Sequence, residues 1–440
     1  MKKYYFSLII FFSTSIFSST IDTLKIENTK VKIDSIKITG NVITEEFIIR
    51  REMTISSGDS VNQQVIHFNR ERIFSLRLFN RVELFVIREE AKNILQIEVV
   101  ESWYIYPLPF FRVQNNSIKT LTAGINFTIK NFRGRNETLK AILGFGYDSF
   151  ISLYYDNPAL IYSKDIGLNF GFTYIKYANR NYTAERINGS AFYYKVVNTS
   201  LGFYKRLNQF NLVGASLSYE YWETQSLLKP LITSSGSLVD RMPAATAYYY
   251  YDSRDLKQYS QNGLFGFFGI TQKGFGLNNL SYNILEIDFR EYRTIYKELT
   301  GKWRVNYRHT FGNNIPYYDY SFFGYSEKIR GHFTGHEEGQ NSFLTSLELN
   351  YPLLEEWNVS FKLPLLPQSL TSARIAVYIN AFVDGGMAYN NEEALALNKF
   401  ISGFGFGITI LALPYNAFRM EFAINELGQG EFVFASGFSF

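Results

Sequence analysis

At 440 residues the chain is longer than one ordinary small domain, although a barrel uses roughly two hundred residues or more as a single unit, so two domains are the starting expectation. Aromatic residues make up 18%, with 33 Tyr and 41 Phe against 19% charged residues, a balance suited to aromatic girdles at membrane interfaces more than to a soluble globule. A net charge of +4 with scattered basic residues argues against a nucleic-acid partner, and the lack of cysteine excludes disulfides, a thiolate nucleophile, Cys-based metal sites and an acylated N-terminal Cys.

Met1-Lys2-Lys3 followed by the apolar run Tyr4 to Phe17 has the charged start and short apolar core of a secretory signal, so residues 1–20 are expected to be removed, leaving a linker over 21–30. Beyond it, no run of about eighteen apolar residues offers a spanning helix. An exported, aromatic-rich chain of this kind is either secreted or a membrane β-barrel.

Val31 to Ile38 alternates apolar and polar residues and predicts a strand ending in the Gly40-Asn41 turn. Thr44 to Met53 opens with a capping residue and acidic first turn, which predicts a helix broken by Ser56 to Ser60. Val61 to Leu78 carries Val65, Phe68, Ile73 and Leu76 at helical spacing. Two strands follow, Asn80 to Ile87 and Asn93 to Val100. The order β-α-α-β-β over 31–101 is an α+β layer, two helices on one face of a three-stranded sheet. Ile38-Thr-Gly-Asn41, Gly58-Asp59 and Leu78 to Glu83 resemble the signature of a polypeptide-transport-associated (POTRA) domain. That resemblance implies a periplasmic module whose open strand edge can add a strand from a client or partner. A plain spacer standing off the barrel is the alternative.

From Trp103 onward the period stays at two. Phe404, Phe406, Ile408 and Ile410 alternate with Gly403, Gly405, Gly407 and Thr409, large apolar groups on one face and small ones on the other. Strands that span lipid must close into a barrel, because every backbone group there needs a partner. Residues 102–440 therefore predict a transmembrane antiparallel β-barrel of about sixteen strands, at roughly 21 residues per strand and connection. The first strand is expected near Ser117 to Lys130 and the last near Glu431 to Phe440. Phe438 and Phe440 end the chain in a way that resembles the C-terminal assembly signal of bacterial outer-membrane barrels.

Arg330 and Asp384 fall in segments that otherwise read as spanning, where a charge is costly unless it faces a polar interior and finds a partner. Six stretches in order resemble one family, the outer-membrane assembly and secretion barrels that include BamA, TamA and the two-partner-secretion pores. They are Asn131 to Arg135, Asp156 to Pro158, Asp252-Ser-Arg254-Asp255 with Gly263, Ile329-Arg330-Gly331-His332, Leu347 to Pro352, and Phe382-Val-Asp384-Gly with Gly386. The resemblance implies that a long extracellular loop folds into the lumen and is latched there by Arg330, which meets Asp384 and Glu348. His332 departs from the aromatic residue the family usually has.

The family resemblance further implies insertion or translocation of polypeptide clients at the outer membrane without nucleotide, through a lateral seam between the first and last strands. Partners would be the lipid bilayer, unfolded or exported proteins, and accessory periplasmic proteins or lipoproteins held by the N-terminal domain. A secretion pore for one dedicated partner, and a passive pore or anchor, are the alternatives. No nucleophile elbow, phosphate loop or zinc-helix motif is present, so no enzyme activity or cofactor is expected. His332, His336, Glu337 and Glu338 sit in a glycine-rich loop without a fixed scaffold and are not expected to hold a metal.

Overall fold

The computed structural model describes residues 30–437 except 90, 115–116, 225–232, 324–328, 333–336, 365 and 393–398. The expected signal segment, most of the linker, His336, Phe438 and Phe440 lie outside the described residues.

The first predicted strand is two. β1 (Val31–Lys32) pairs with an unexpected two-residue strand, β3 (Ser60–Val61), whereas β2 (Ser35–Thr39) runs parallel to β5 (Lys92–Glu101). The chain changes partner at Ile33, whose N–H donates to the Asp59 carbonyl (2.8 Å), and Asp34, whose N–H donates to the Asn93 carbonyl (2.9 Å). Alternation in sequence cannot register such a switch. Helix α1 (Glu46–Arg50) is a little over one turn. In α2 (Gln63–Phe74) the Asn62 side chain accepts the Val65 N–H at 2.9 Å, capping the first turn. β4 (Phe79–Glu89) completes a sheet of order β2-β5-β4. Ile48, Ile49, Ile66, Ile73 and Phe74 from the helices bury against Leu95, Ile97 and Val99 of β5.

Sixteen antiparallel strands follow in strict chain order, the number the sequence predicts. They are β6 (Ile105–Gln114), β7 (Ser117–Phe132), β8 (Glu137–Gly146), β9 (Ser149–Ile161), β10 (Ile166–Ala178), β11 (Tyr193–Arg206), β12 (Asn211–Thr224) and β13 (Val239–Asp252). After them come β14 (Gly263–Lys273), β15 (Ser281–Tyr296), β16 (Leu299–Asn313), β19 (Asn341–Ser360), β20 (Ser372–Tyr389), β21 (Ile401–Leu413), β22 (Asn416–Asn425) and β23 (Gly430–Ser436). A small ribbon, β17 (Ser321–Phe322) with β18 (Glu338–Gly339), lies in the β16–β19 loop, and helix α3 (Tyr182–Asn188) in the β10–β11 loop.

The sheet therefore begins one strand earlier than expected: Ser117–Phe132 is its second strand. Pro107 and Pro109 hide β6 from a propensity reading, because a proline cannot donate to a ladder and is tolerated only on an edge. Here β6 is an edge: among the described residues no backbone pairing joins β6 to β23. The sheet nevertheless curls round on itself, since the Tyr106 ring of β6 packs 6.3 Å from Tyr415, between β21 and β22.

Alternate residues along the strands point out and carry the apolar surface, such as Phe404 and Phe406 on β21 and Leu347 and Leu349 on β19. The α+β domain packs into the barrel end that carries the short turns. Asn131 bonds Thr44 (2.9 Å), Arg206 meets Glu52 (2.6 Å), Arg374 meets Glu71 (2.9 Å), and Arg77 reaches the Tyr415 carbonyl (2.7 Å). Its core runs on into Leu256, Tyr259, Ala376, Leu411 and Leu413 of the barrel. It does not stand off as a spacer.

Candidate functional site

The β16–β19 loop turns back into the barrel at Ile329–Gly331, where the His332 N–H closes on the Ile329 carbonyl (3.0 Å) and Gly331 takes φ +96°. Ile329 is fully buried among Phe323, Leu344, Ala388 and Ile401. Its seat exists because Gly386 has no side chain: a Cβ there would lie 3.0 Å from the Ile329 Cδ1 and 2.4 Å from the Phe343 carbonyl. A Cβ on Gly403 would lie 1.8 Å from the Arg330 carbonyl oxygen. Gly386 of β20 and Gly403 of β21 are thus the floor on which the loop tip rests.

Above that floor Arg330 is almost wholly buried. It forks onto Asp384, Nε to Oδ2 at 2.6 Å and Nη2 to Oδ1 at 2.8 Å, while its backbone N–H donates to the same carboxylate at 3.1 Å. Nη1 reaches Glu348 (2.8 Å) on β19 and Glu421 (3.1 Å) on β22. The Phe382 ring lies 3.6 Å beneath the guanidinium, a cation–π contact. The register explains the convergence: Ser346 is opposite Asp384 and Glu348 opposite Phe382, so both carboxylates share the inner face. Lys302 pairs with the second oxygen of Glu348 (3.2 Å) and Arg419 with Glu421 (3.3 Å), so three cations face three carboxylates. A planar, permanently charged fork can bridge three strands in this way, and the cluster is suited to holding a segment rather than to bond chemistry.

The structure places Arg330 against Asp384 and Glu348, with Ile329 and Gly331 beside it; Phe382 and Gly386, known from the sequence as parts of a strand motif, also line this site. Glu421, Lys302 and Arg419 were not foreseen. The signal for Glu421 is the Arg419, Glu421 pair two residues apart on an otherwise apolar strand. His332 has its own partners, with Nε2 2.7 Å from Glu426 Oε2 and 3.1 Å from the Ser402 carbonyl.

A second anchor of the same loop lies against β12–β15. Tyr318 stacks on Trp222 (4.0 Å, 10°) and donates to Asp240 (2.9 Å), and Asp319 accepts from Lys273 (2.9 Å) and from the Tyr282 hydroxyl. Asp252, Arg254 and Asp255 lie at the other end of the lumen. There Arg254 forks onto Asp252 (2.8 and 3.0 Å), and Asp255 caps the turn by accepting the N–H groups of Leu256, Gln261 and Asn262. This turn receives Arg72 of α2, which donates to the carbonyls of Asp252 and Arg254 (both 3.1 Å). It also carries Tyr259, whose ring lies 3.8 Å from Lys302 Nζ.

Fold and site together define a sixteen-stranded barrel with a small α+β domain seated in one mouth and an arginine-tipped loop inside. No family model matches the chain, and neither does any curated protein. Among solved structures the chain shares the fold of BamA and CdiB. The crystal structure of BamA from Haemophilus ducreyi lacking POTRA domains 1-3 aligns with TM-score 0.53 at 14% identity, over 92% of this chain and 84% of that one. CdiB from Escherichia coli aligns at 0.57 and 10% identity over 92% and 75%, and CdiB from Acinetobacter baumannii at 0.51 and 12% over 93% and 74%.

Proposed function

We propose that the chain is a bacterial outer-membrane barrel that inserts or translocates polypeptide clients without nucleotide, with its α+β domain a POTRA-type module in the periplasm. The observation that carries this reading is the pairing of an unzipped seam with a loop tip fixed beside it. β6 and β23 share no ladder among the described residues, and Arg330 ties together β19, β20 and β22, the strands leading up to that seam. β23, which ends the sheet and carries no proline over Gly430–Ser436, offers a client strand a template, and the client's own burial and strand closure supply the driving force. Arg330 then acts as a latch that keeps the loop, and the strands beneath it, in one arrangement while the seam opens.

The outer edge of the α+β sheet, β2, supports a second docking place for clients or accessory periplasmic proteins and lipoproteins. A passive pore is a poorer reading, since the domain packs into one mouth and the loop occupies the lumen. Depletion of the protein followed by proteomics of the outer membrane tests the proposal. Loss of particular barrels or surface proteins is expected, and an unchanged proteome with altered solute permeability would overturn it. The likeness to CdiB supports a narrower variant, a secretion pore for one dedicated partner, in which depletion removes a single exported protein and leaves the other barrels in place.

A further inference from the structure

β19 is 20 residues long, but its ladder with β16 ends at Thr300–Asn350, because β16 begins at Leu299. Beyond Asn350 it pairs only with β20 among the described residues, as far as Ser360–Ser372. The hairpin thus runs past its neighbour by about 30 Å of strand at ~3.3 Å per residue. One face is spoken for: Glu356 pairs with Arg70 of α2 and with Arg374, and the Ser369 carbonyl accepts from Asn80 (2.7 Å). The other face and the described part of the tip expose large apolar side chains. Leu353 is 59% exposed, Trp357 48%, Phe361 45%, Leu363 51% and Leu366 47%. Half in water, each such side chain forgoes about half of the ~1.5–3 kcal/mol that full burial gives, and a contiguous patch of them marks a partner.

Two occupants fit an extended apolar hairpin, a β-strand or lipid. Strand addition is disfavoured by the edge itself. Pro352 has no N–H to give, the register slips between Pro352 and Leu354 and again between Leu354 and Trp357, and Glu355 and Glu356 follow. Proline, bulges and charge are the devices by which proteins blunt a free edge. Lipid is favoured by continuity: Leu347, Leu349, Tyr351 and Leu353 form one exposed row from the barrel's apolar belt onto the hairpin. Trp and Tyr at the end of such a row, with Lys362 in the tip, are the residues that settle at a headgroup boundary.

We propose that the β19–β20 hairpin lies against the membrane, with Trp357, Phe361, Leu363 and Leu366 inserted into the phospholipid leaflet on the side of the α+β domain. The proposal rests on the membrane-barrel reading above. Through Glu356 and Arg374 the hairpin also grips α2 at Arg70 and Glu71, so a lipid-bound hairpin fixes the domain's height at the membrane surface.

Because the chain has no cysteine, single labels report cleanly. Leu363→Cys and, separately, Leu366→Cys are spin-labelled in vesicles of phosphatidylethanolamine and phosphatidylglycerol, using only protein with folded heat-modifiable mobility. Collisions with lipid-soluble oxygen are compared with collisions with a water-soluble nickel chelate. Phe406→Cys on the belt and Val42→Cys on the α+β domain are the references, since both positions are exposed. Hairpin labels are expected to follow Phe406, with oxygen favoured several-fold over nickel. Hairpin labels that follow Val42, or that are shielded from both reagents as by a covering protein, overturn the proposal while a lipid-exposed Phe406 keeps the barrel reading. A water-exposed Phe406 sinks both.

Discussion

The planar guanidinium of Arg330 forks onto Asp384 and still reaches Glu348 and Glu421, a geometry that a point charge cannot supply. Removing Arg330 takes one cation from a cluster in which Lys302 and Arg419 also meet Glu348 and Glu421, and breaking a well-buried pair costs about 3–5 kcal/mol. Arg330→Ala and Asp384→Ala are therefore each expected to release the loop tip while the barrel stays folded. Retained heat-modifiable mobility, faster protease cleavage in the β16–β19 loop and lost client assembly would show this. Full assembly activity in both variants would refute the latch. Arg330→Lys should not rescue, because an ammonium cannot fork onto Asp384 and reach two further strands. Gly403→Ala reaches the same end without touching a charge, since its methyl would collide with the Arg330 carbonyl, a backbone atom that a rotamer change cannot move aside. Asp384 could be found in the sequence because a lone carboxylate on an apolar strand needs a reason, and Glu348 only through the family resemblance. The glycines' role as a floor could not, because it depends on a loop many residues away descending onto β20 and β21.

At the scale of strands, the seam is the element that period-two reading handles least well. Alternation follows from side-chain patterning, and the number of strands follows from chain length at roughly 21 residues per strand and connection, so both were legible. β6 was not, because Pro107 and Pro109 speak against a strand until its open side is known, and β1 with β3 depends on a change of partner at Ile33 that leaves no mark in the alternation. Pro107 and Pro109 lie opposite Phe127 and Ile125 of β7, and neither has an N–H to offer β23 or a client. On the proposed seam, that half of β6 therefore lacks two donors for a closing ladder. The double variant Pro107→Val with Pro109→Val restores both donors. It is expected to raise the temperature at which heat-modifiable mobility is lost, through seam closure, and to slow client insertion. An unchanged transition and unchanged insertion would show that the prolines are passive.

Across the whole molecule, the mouth of the barrel and the loop tip are joined by one line of contacts. Arg72 of α2 grips the β13–β14 turn, and Lys257 in that turn donates its N–H to Ser75 at the end of α2 (2.9 Å). Two residues on, Tyr259 meets Lys302, which pairs with Glu348 and so with Arg330. The mouth end of this line is acid-sensitive in a stated direction. Burial alone would raise the Glu52 pKa, but Lys257, Arg206 and Arg72 outweigh burial and hold it at about 2, below the usual 4.5. A depressed carboxylate stabilises the docked state fully above pH 4.5 and loses that contribution as the pH falls toward about 2. Protection of the α2 amides, referred to the intrinsic exchange rate at each pH, should accordingly fall between those values, and Glu52→Gln should be loose at neutral pH with little further change on acidification. If the line transmits force, Arg72→Ala and Arg330→Ala will not add: their combined effect on loop cleavage should differ from the sum by about 0.5–3 kcal/mol. Additive effects would mean that the domain and the loop act on the seam independently. Spatial contiguity by itself does not decide between these cases, and the double-mutant cycle does.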